Sequence, residues 1–298
     1  MSLRFVSTPL AAPVELPEPR TDGFRSDLAK AFCPSAALEA GLARLRQPGA
    51  LAVTSGQQPG LFTGPLYTVY KALSTAAFAR LLEARWKRPV VPVFWLAGDD
   101  HDFAEASGAS WIGTDGSPVT VSLPPRLADA PLTPMYREPL GDGILPVLQA
   151  MAEGILPSEF REPTLEWLGR HYRPDQTVAG SFAGAMAELL APHGIICFDN
   201  THPAAKRAAA PILLQALAFA AQLDGDLDRY YESLGAGART SGVTVGDGAS
   251  LVMLEASQGR DRLIRDGAAF VTRRSRERFD LAALEGIAAT EPTRLSPN

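Results

Sequence analysis

Continuous apolar stretches stand at 50–56 (ALAVTSG), 88–98 (RPVVPVFWLAG) and 194–198 (GIICF). Apolar runs without alternation suit strands buried on both faces of a parallel sheet. Pro92 sets the regular part of the second run at Val93, since proline removes a ladder donor. Between the first two runs, Leu66, Val69, Leu73, Ala77 and Leu81 recur at steps of three and four. That spacing predicts a helix from Pro65 to about Trp86. Strand, helix, strand in this order is a βαβ unit, with a right-handed crossover expected.

The rest of the pattern is more mixed. Residues 1–25 carry Pro13, Pro17 and Pro19 and read as an irregular arm, and 26–47 have helical spacing interrupted by Pro34. Alternation around Asp115-Gly116 predicts a β-hairpin over 109–124, followed by a proline-rich irregular stretch over 124–146. Helical patterns follow at 144–155, 159–172 and 179–192. Residues 204–234 read as one or two alanine-rich helices, 242–273 as β-hairpins and 280–289 as a short helix.

The length of 298 residues allows one large core or two smaller ones. Apolar residues at 46%, charged residues at 20% and a net charge of -5 with no long basic run argue against a nucleic-acid partner. The N-terminus makes a poor signal peptide, and no run approaches the roughly 20 apolar residues that cross a bilayer. A cytoplasmic chain with no membrane partner is expected. Cys33 and Cys197 have no metal spacing, and reduced thiols are the expectation over a single disulfide.

Three stretches carry candidate chemistry. SGQQPGLFTG (55–64) leaves a strand and enters a helix, where free backbone N–H groups, here those of Gly64, Leu66 and Tyr67, favour an anion. It is neither GxGxxG nor GxxxxGK[ST], and Lys71 lies about two turns into the helix. A rigid turn that only packs the helix on the sheet is the alternative. GDDHDF (98–103) follows a buried strand, so it shares a sheet edge with the first loop, where ligands of open parallel sheets bind. His101 is a candidate general base, with Asp100 and Asp102 orienting it or binding an amine. The alternative is a helix cap at Asp99 or Asp100. FDNTH (198–202) repeats the design, with Asp199 or Asn200 touching a ligand or, alternatively, Asn200 or Thr201 capping a helix. No second ligand cluster completes a metal site.

At TSGQQPGLFTGPLYTVYKA (54–72), joined to RPVVPVFWLAGDDHDF (88–103), and again at the terminal LSPN, the sequence resembles the BshC family, cysteine ligases of bacillithiol biosynthesis. The resemblance runs over nearly the whole chain. It implies an α/β fold: a Rossmann-like parallel sheet related to class I nucleotidyl transferases, with β-rich connecting-peptide insertions. Residues 1–108 would then be the first half of the core and 109–143 a hairpin and irregular insertion. Residues 144–240 would hold helices and a further core strand, and 241–298 a β-rich insertion with a short helix. The implied reaction adds cysteine to glucosaminyl malate through an amide bond, with ATP or ADP as the nucleotide and ATP consumption left open. Asp100, His101 and Asp102 are then the candidate catalytic residues. Gly56, Gln57, Gln58, Gly60, Thr63, Gly64, Tyr67, Lys71, Asp99, Asp199 and Asn200 are the candidate binding residues. LFTGP (61–65) occupies the place of the transferases' HxGH signature, Gly64 matching its glycine, but without histidine. Asp99 stands where the family has glutamate. The family's chains are longer and dimerise by a coiled coil missing here, so a truncated, non-catalytic nucleotide- or small-acid-binding remnant is the alternative to a ligase.

Overall fold

The computed structural model describes residues 23–233 and 248–297. The expected arm over 1–22 and the start of the predicted hairpins at 242–247 lie outside the described residues. After a 3-10 turn at Ser26–Ala31, α1 (Leu38–Leu45) forms once Pro34 is passed. β1 (Leu51–Gln57), α2 (Tyr67–Trp86) and β2 (Val90–Leu96) form the βαβ unit. A single turn, α3 (Phe103–Ala106), precedes the hairpin of β3 (Gly108–Ile112) and β4 (Pro118–Ser122). Next come α4 (Ile144–Gly154), α5 (Arg161–His171), α6 (Val178–Leu190) and β5 (Ile196–Asp199). The alanine-rich run is two helices, α7 (Pro203–Ala218) and α8 (Ala220–Ser233), bent by 71° at Phe219. The chain closes with β6 (Ala249–Ala256), β7 (Gly259–Asp266), β8 (Ala269–Thr272), β9 (Arg278–Phe279), α9 (Leu281–Thr290) and β10 (Leu295–Pro297).

β1, β2 and β5 pair in parallel in the order β1-β2-β5. α2 and α6 cover one face through Ala72, Ala76, Phe182 and Met186. The 3-10 turn, α1 and α7 cover the other through Phe32, Leu42 and Ala205. A five-stranded antiparallel sheet, β10-β6-β7-β8-β9, packs on α7 and α9 around Leu213, Leu254 and Leu284.

Two expectations are corrected. Pro92 lies inside β2, which begins at Val90. Ala97 N–H donates to Gln57 O, so odd residues of β2 turn their backbone groups to β1. Pro92 faces the β5 side, where pairing starts only at Val93 opposite Ile196, so no ladder bond is lost. On α2 the buried stripe is Thr68, Ala72, Thr75, Ala76, Ala79 and Leu82, while Leu66 and Leu81 are 67% and 62% exposed. Small side chains let the helix lie close on the sheet, and the larger ones point outward.

Candidate functional site

The turn after β1 is shaped by close backbone approaches. A Cβ on Gly56 would meet Trp95 O at 2.7 Å, and one on Gly60 would meet Gly64 Cα at 2.8 Å. Phe62, Thr63 and Gly64 take φ of 52°, 73° and 70° in succession. Left-handed backbone at two non-glycine residues costs energy and persists only where the surroundings fix it. They do so here: Thr63 N–H donates to the buried Tyr172 hydroxyl at 2.8 Å, and the Thr63 hydroxyl donates to Phe62 O at 2.5 Å. Gly64 N–H donates to Leu61 O at 3.0 Å, so it is not the free donor expected. Thr63 likewise has its donors engaged within the protein.

Lys71 behaves differently from its spacing. Its Nζ folds back to Gly56 O at 3.0 Å and Gln57 Oε1 at 2.8 Å, placing a cation at the end of β1. Gln57 Nε2 donates to the Tyr67 hydroxyl at 2.9 Å. Gln58 Nε2 donates to Glu105 of α3, tying the turn to the segment after β2. Lys71 and Tyr67 are exposed. Of the turn's polar side chains, Tyr67 and Lys71 thus stand at the surface with Gln57 half-buried between them, whereas Thr63 is buried.

The four ionisable residues after β2 divide sharply. Asp99 is buried, accepting from Lys206 Nζ at 2.9 Å and from Asn200 Nδ2 at 2.8 Å. Burial alone would raise its carboxyl, but Lys206 and these hydrogen bonds hold it below its ordinary value. Asp100 Oδ1 accepts from the backbone N–H of His101 at 2.6 Å and Asp102 at 3.1 Å. Asp102, and neither Asp99 nor Asp100, caps α3, accepting from Glu105 N–H at 3.0 Å. His101 lines an 870 Å³ cleft together with Asp102, Phe103, Arg126 and Arg274. Its imidazole is pushed below the ordinary range by burial, then by Arg260.

At the end of β5, Asn200 is buried between Asp99 and Gly98 N–H, the latter at 3.1 Å. Asp199 Oδ1 accepts from Thr201 N–H and its hydroxyl. The cap of α7 is His202, whose Nδ1 accepts from Ala204 N–H at 3.1 Å, replacing the expected Asn200 or Thr201. Asp199, His202, Gly98, Tyr136 and Arg137 line a 360 Å³ crevice at the carboxyl ends of β2 and β5. This is the edge where open parallel sheets take ligands. Among the described residues no cluster of three or more His, Cys, Asp or Glu can hold a metal ion. Both cysteines are free thiols, and burial, then Asp199, pushes Cys33 up to about 12.

Several participants escaped the sequence reading. Lys206 sits on the stripe of Ala210, Leu213 and Leu217, all buried. A lone lysine on an apolar stripe is a local signal of a buried ion pair. Arg126 donates to His101 O at 3.2 Å, Thr133 O at 2.6 Å and Glu138 at 2.7 Å, and stacks on Phe103. Arg260 donates to His101 Nδ1 at 3.2 Å, Ser296 Oγ at 2.9 Å and Pro297 O at 2.5 Å. No local pattern marks either arginine.

A family model described as "Bacillithiol biosynthesis BshC, N-terminal Rossmann-like domain" matches residues 25–298. A protein of Solibacter usitatus named "Putative cysteine ligase BshC" is 35% identical over 257 residues, covering 86% of this chain and 47% of the relative. Proteins of the same name from Salinibacter ruber and Bacillus velezensis are 36% and 34% identical over 168 and 176 residues. They cover 56% and 58% of this chain, and 30% and 32% of the relatives. The chain thus spans less than half the length of these curated relatives. No single helix among the described residues is long and apolar enough to cross a membrane.

Proposed function

The chain belongs to the BshC family, and from that premise we propose that it forms the core part of a cytoplasmic ligase of thiol metabolism. The reaction joins the carboxylate of cysteine to the amine of glucosaminyl malate, the last step of bacillithiol biosynthesis. The observation that carries this reading is the meeting of Gly56–Lys71 and Gly98–Asp102 at one edge of the parallel sheet, linked by Gln58 and Glu105. A relation to class I nucleotidyl transferases belongs to the same proposal.

Amide formation requires an activated carboxylate, and ATP is the candidate source of that activation. Lys71, Gln57 and Tyr67 would hold its phosphates, Lys71 supplying the charge that the loop's own sequence lacks. His101, Asp100 and Asp102 would form the reacting edge. Asp100 fixes the backbone of His101, and Asp102 caps α3 beside the cleft. Asp199, at the crevice, would meet the amine of a substrate. Asp99 and Asn200 would support the site from below, since both are buried.

The test is to supply the purified chain with cysteine and glucosaminyl malate, with and without ATP, and follow bacillithiol, AMP and ADP by mass spectrometry. Product formation that falls at least tenfold in His101→Ala and Asp102→Ala is expected. A folded chain that binds nucleotide but forms no product would instead support the second reading, a non-catalytic nucleotide- or small-acid-binding module.

A further inference from the structure

The guanidinium of Arg260 joins two stretches that are far apart in sequence. Gly259 makes this possible. Its φ is +83°, and a Cβ there would meet Leu132 O at 2.4 Å, so only glycine lets the 130–133 segment lie on the β6–β7 turn. Arg260 N–H then donates to Leu132 O at 2.9 Å, and the side chain projects toward the end of β2. Nε is fixed by Ser296 Oγ and Nη2 by Pro297 O, which leaves Nη1 directed at His101 Nδ1 at 3.2 Å. The histidine backbone is held as well, its N–H by Asp100 and its carbonyl by Arg126.

We infer that Arg260 is a positioning residue that fixes His101 in the Nε2–H tautomer, so that the imidazole serves the cleft as a neutral hydrogen-bond donor and not as a proton acceptor. Arginine has only donors, so Nδ1 must offer its lone pair to Nη1. The single proton of the neutral ring then sits on Nε2. Protonating Nδ1 would set two cations about 3 Å apart, which the half-buried site disfavours. Asp100 and Asp102 oppose this from the same loop, while Arg126 adds to it, and burial with Arg260 brings the ring below its ordinary value. Arg274 lines the same cleft. The fitting ligand group is an anionic oxygen, carboxylate or phosphate. The catalytic use of this donor rests on the ligase reading, but the tautomer does not.

The experiment is a long-range proton–nitrogen NMR spectrum of the 298-residue chain, whose four histidines allow His101 to be assigned by its loss in His101→Gln. The expected result is a bare Nδ1, a protonated Nε2 and a titration midpoint below the ordinary imidazole value of about 6.5. Arg260→Met should mix the tautomers and raise the midpoint, and Arg260→Lys should fall between. Mixed tautomers or a midpoint at the ordinary value in the unmodified chain would overturn the inference, without need of any variant. So would a folded Arg260→Met chain with His101 unchanged. The ligase reading fails separately, on absence of product, whatever the tautomer.

Discussion

In the turn after β1, Gln57 bonds Tyr67 and Lys71, and Lys71 also bonds Gly56 O, across separations of 10 to 15 residues. After β2, Asp99 and His101 are held by Asn200, Lys206 and Arg260, 101 to 159 residues away. The first group is local and solvent-facing. The second is buried at Asp99, Asn200 and Lys206 and half-buried at His101 and Arg260, and its distant members come from the end of β5, α7 and β7. An exposed polar cluster contributes little to stability because water replaces any bond that is lost, whereas a buried charge without its partner is strongly destabilising. The turn after β1 is thus a surface cluster, whereas the segment after β2 is divided: Asp99 ties the sheet to α7 and, through Lys206, to β10, while His101 faces the cleft.

The largest expected effect tests the buried side of this contrast. Lys206→Ala or Asp99→Ala should destabilise by about 3–5 kcal/mol, read as a shift in the urea midpoint, because either leaves a buried charge unpaired. Replacing both with Asp99→Leu and Lys206→Met should cost less than either single change. If the singles cost no more than a surface substitution, the contrast collapses. The pH dependence follows from the lowered carboxyl of Asp99. Its contribution is full above the unfolded value of about 3.9 and is lost as pH falls through the lower folded value. Asp99→Asn should flatten that part of the acid limb in a stability–pH series.

Gly259→Ala should follow at about 3 kcal/mol, the upper end of overpacking, since its Cβ would meet backbone atoms of Leu132. Loss of the contact between Leu132 and the β6–β7 turn should also show as altered His101 resonances. Tyr172→Phe sharpens the other side. It removes the acceptor of the Thr63 N–H and should cost about 1–2 kcal/mol by thermal or urea unfolding. The smallest effect is Lys71→Met, within about 0.5 kcal/mol of the parent, while nucleotide affinity measured by calorimetry should fall. A stability loss as large as that of Lys206→Ala would show that the turn is structural.

Much of the framework was legible. The apolar runs located β1, β2 and β5 within a few residues, and the GDDHDF stretch does lie at the sheet edge. The rotation of α2 was not legible, because small residues, not the largest ones, face the sheet. Spacing puts Lys71 about two turns into the helix, away from the position of a P-loop lysine, yet α2 begins at Tyr67 and the four-carbon side chain folds back to Gly56 O. Asp99 stood as a candidate binding residue or helix cap, and it is instead buried. Nothing in that stretch reveals that Lys206 lies beneath it.

The sequence by itself determined the order of strand, helix and strand, and the positions of the two motifs at the ends of β1 and β2. Apolar periodicity and glycine or proline breaks are local properties that bias the backbone before any distant contact forms. Only the tertiary structure decided which of those polar residues are buried and which face a cleft. Burial and charge pairing depend on proximity in space, and here the deciding partners, Lys206 and Arg260, stand more than a hundred residues from the groups they hold.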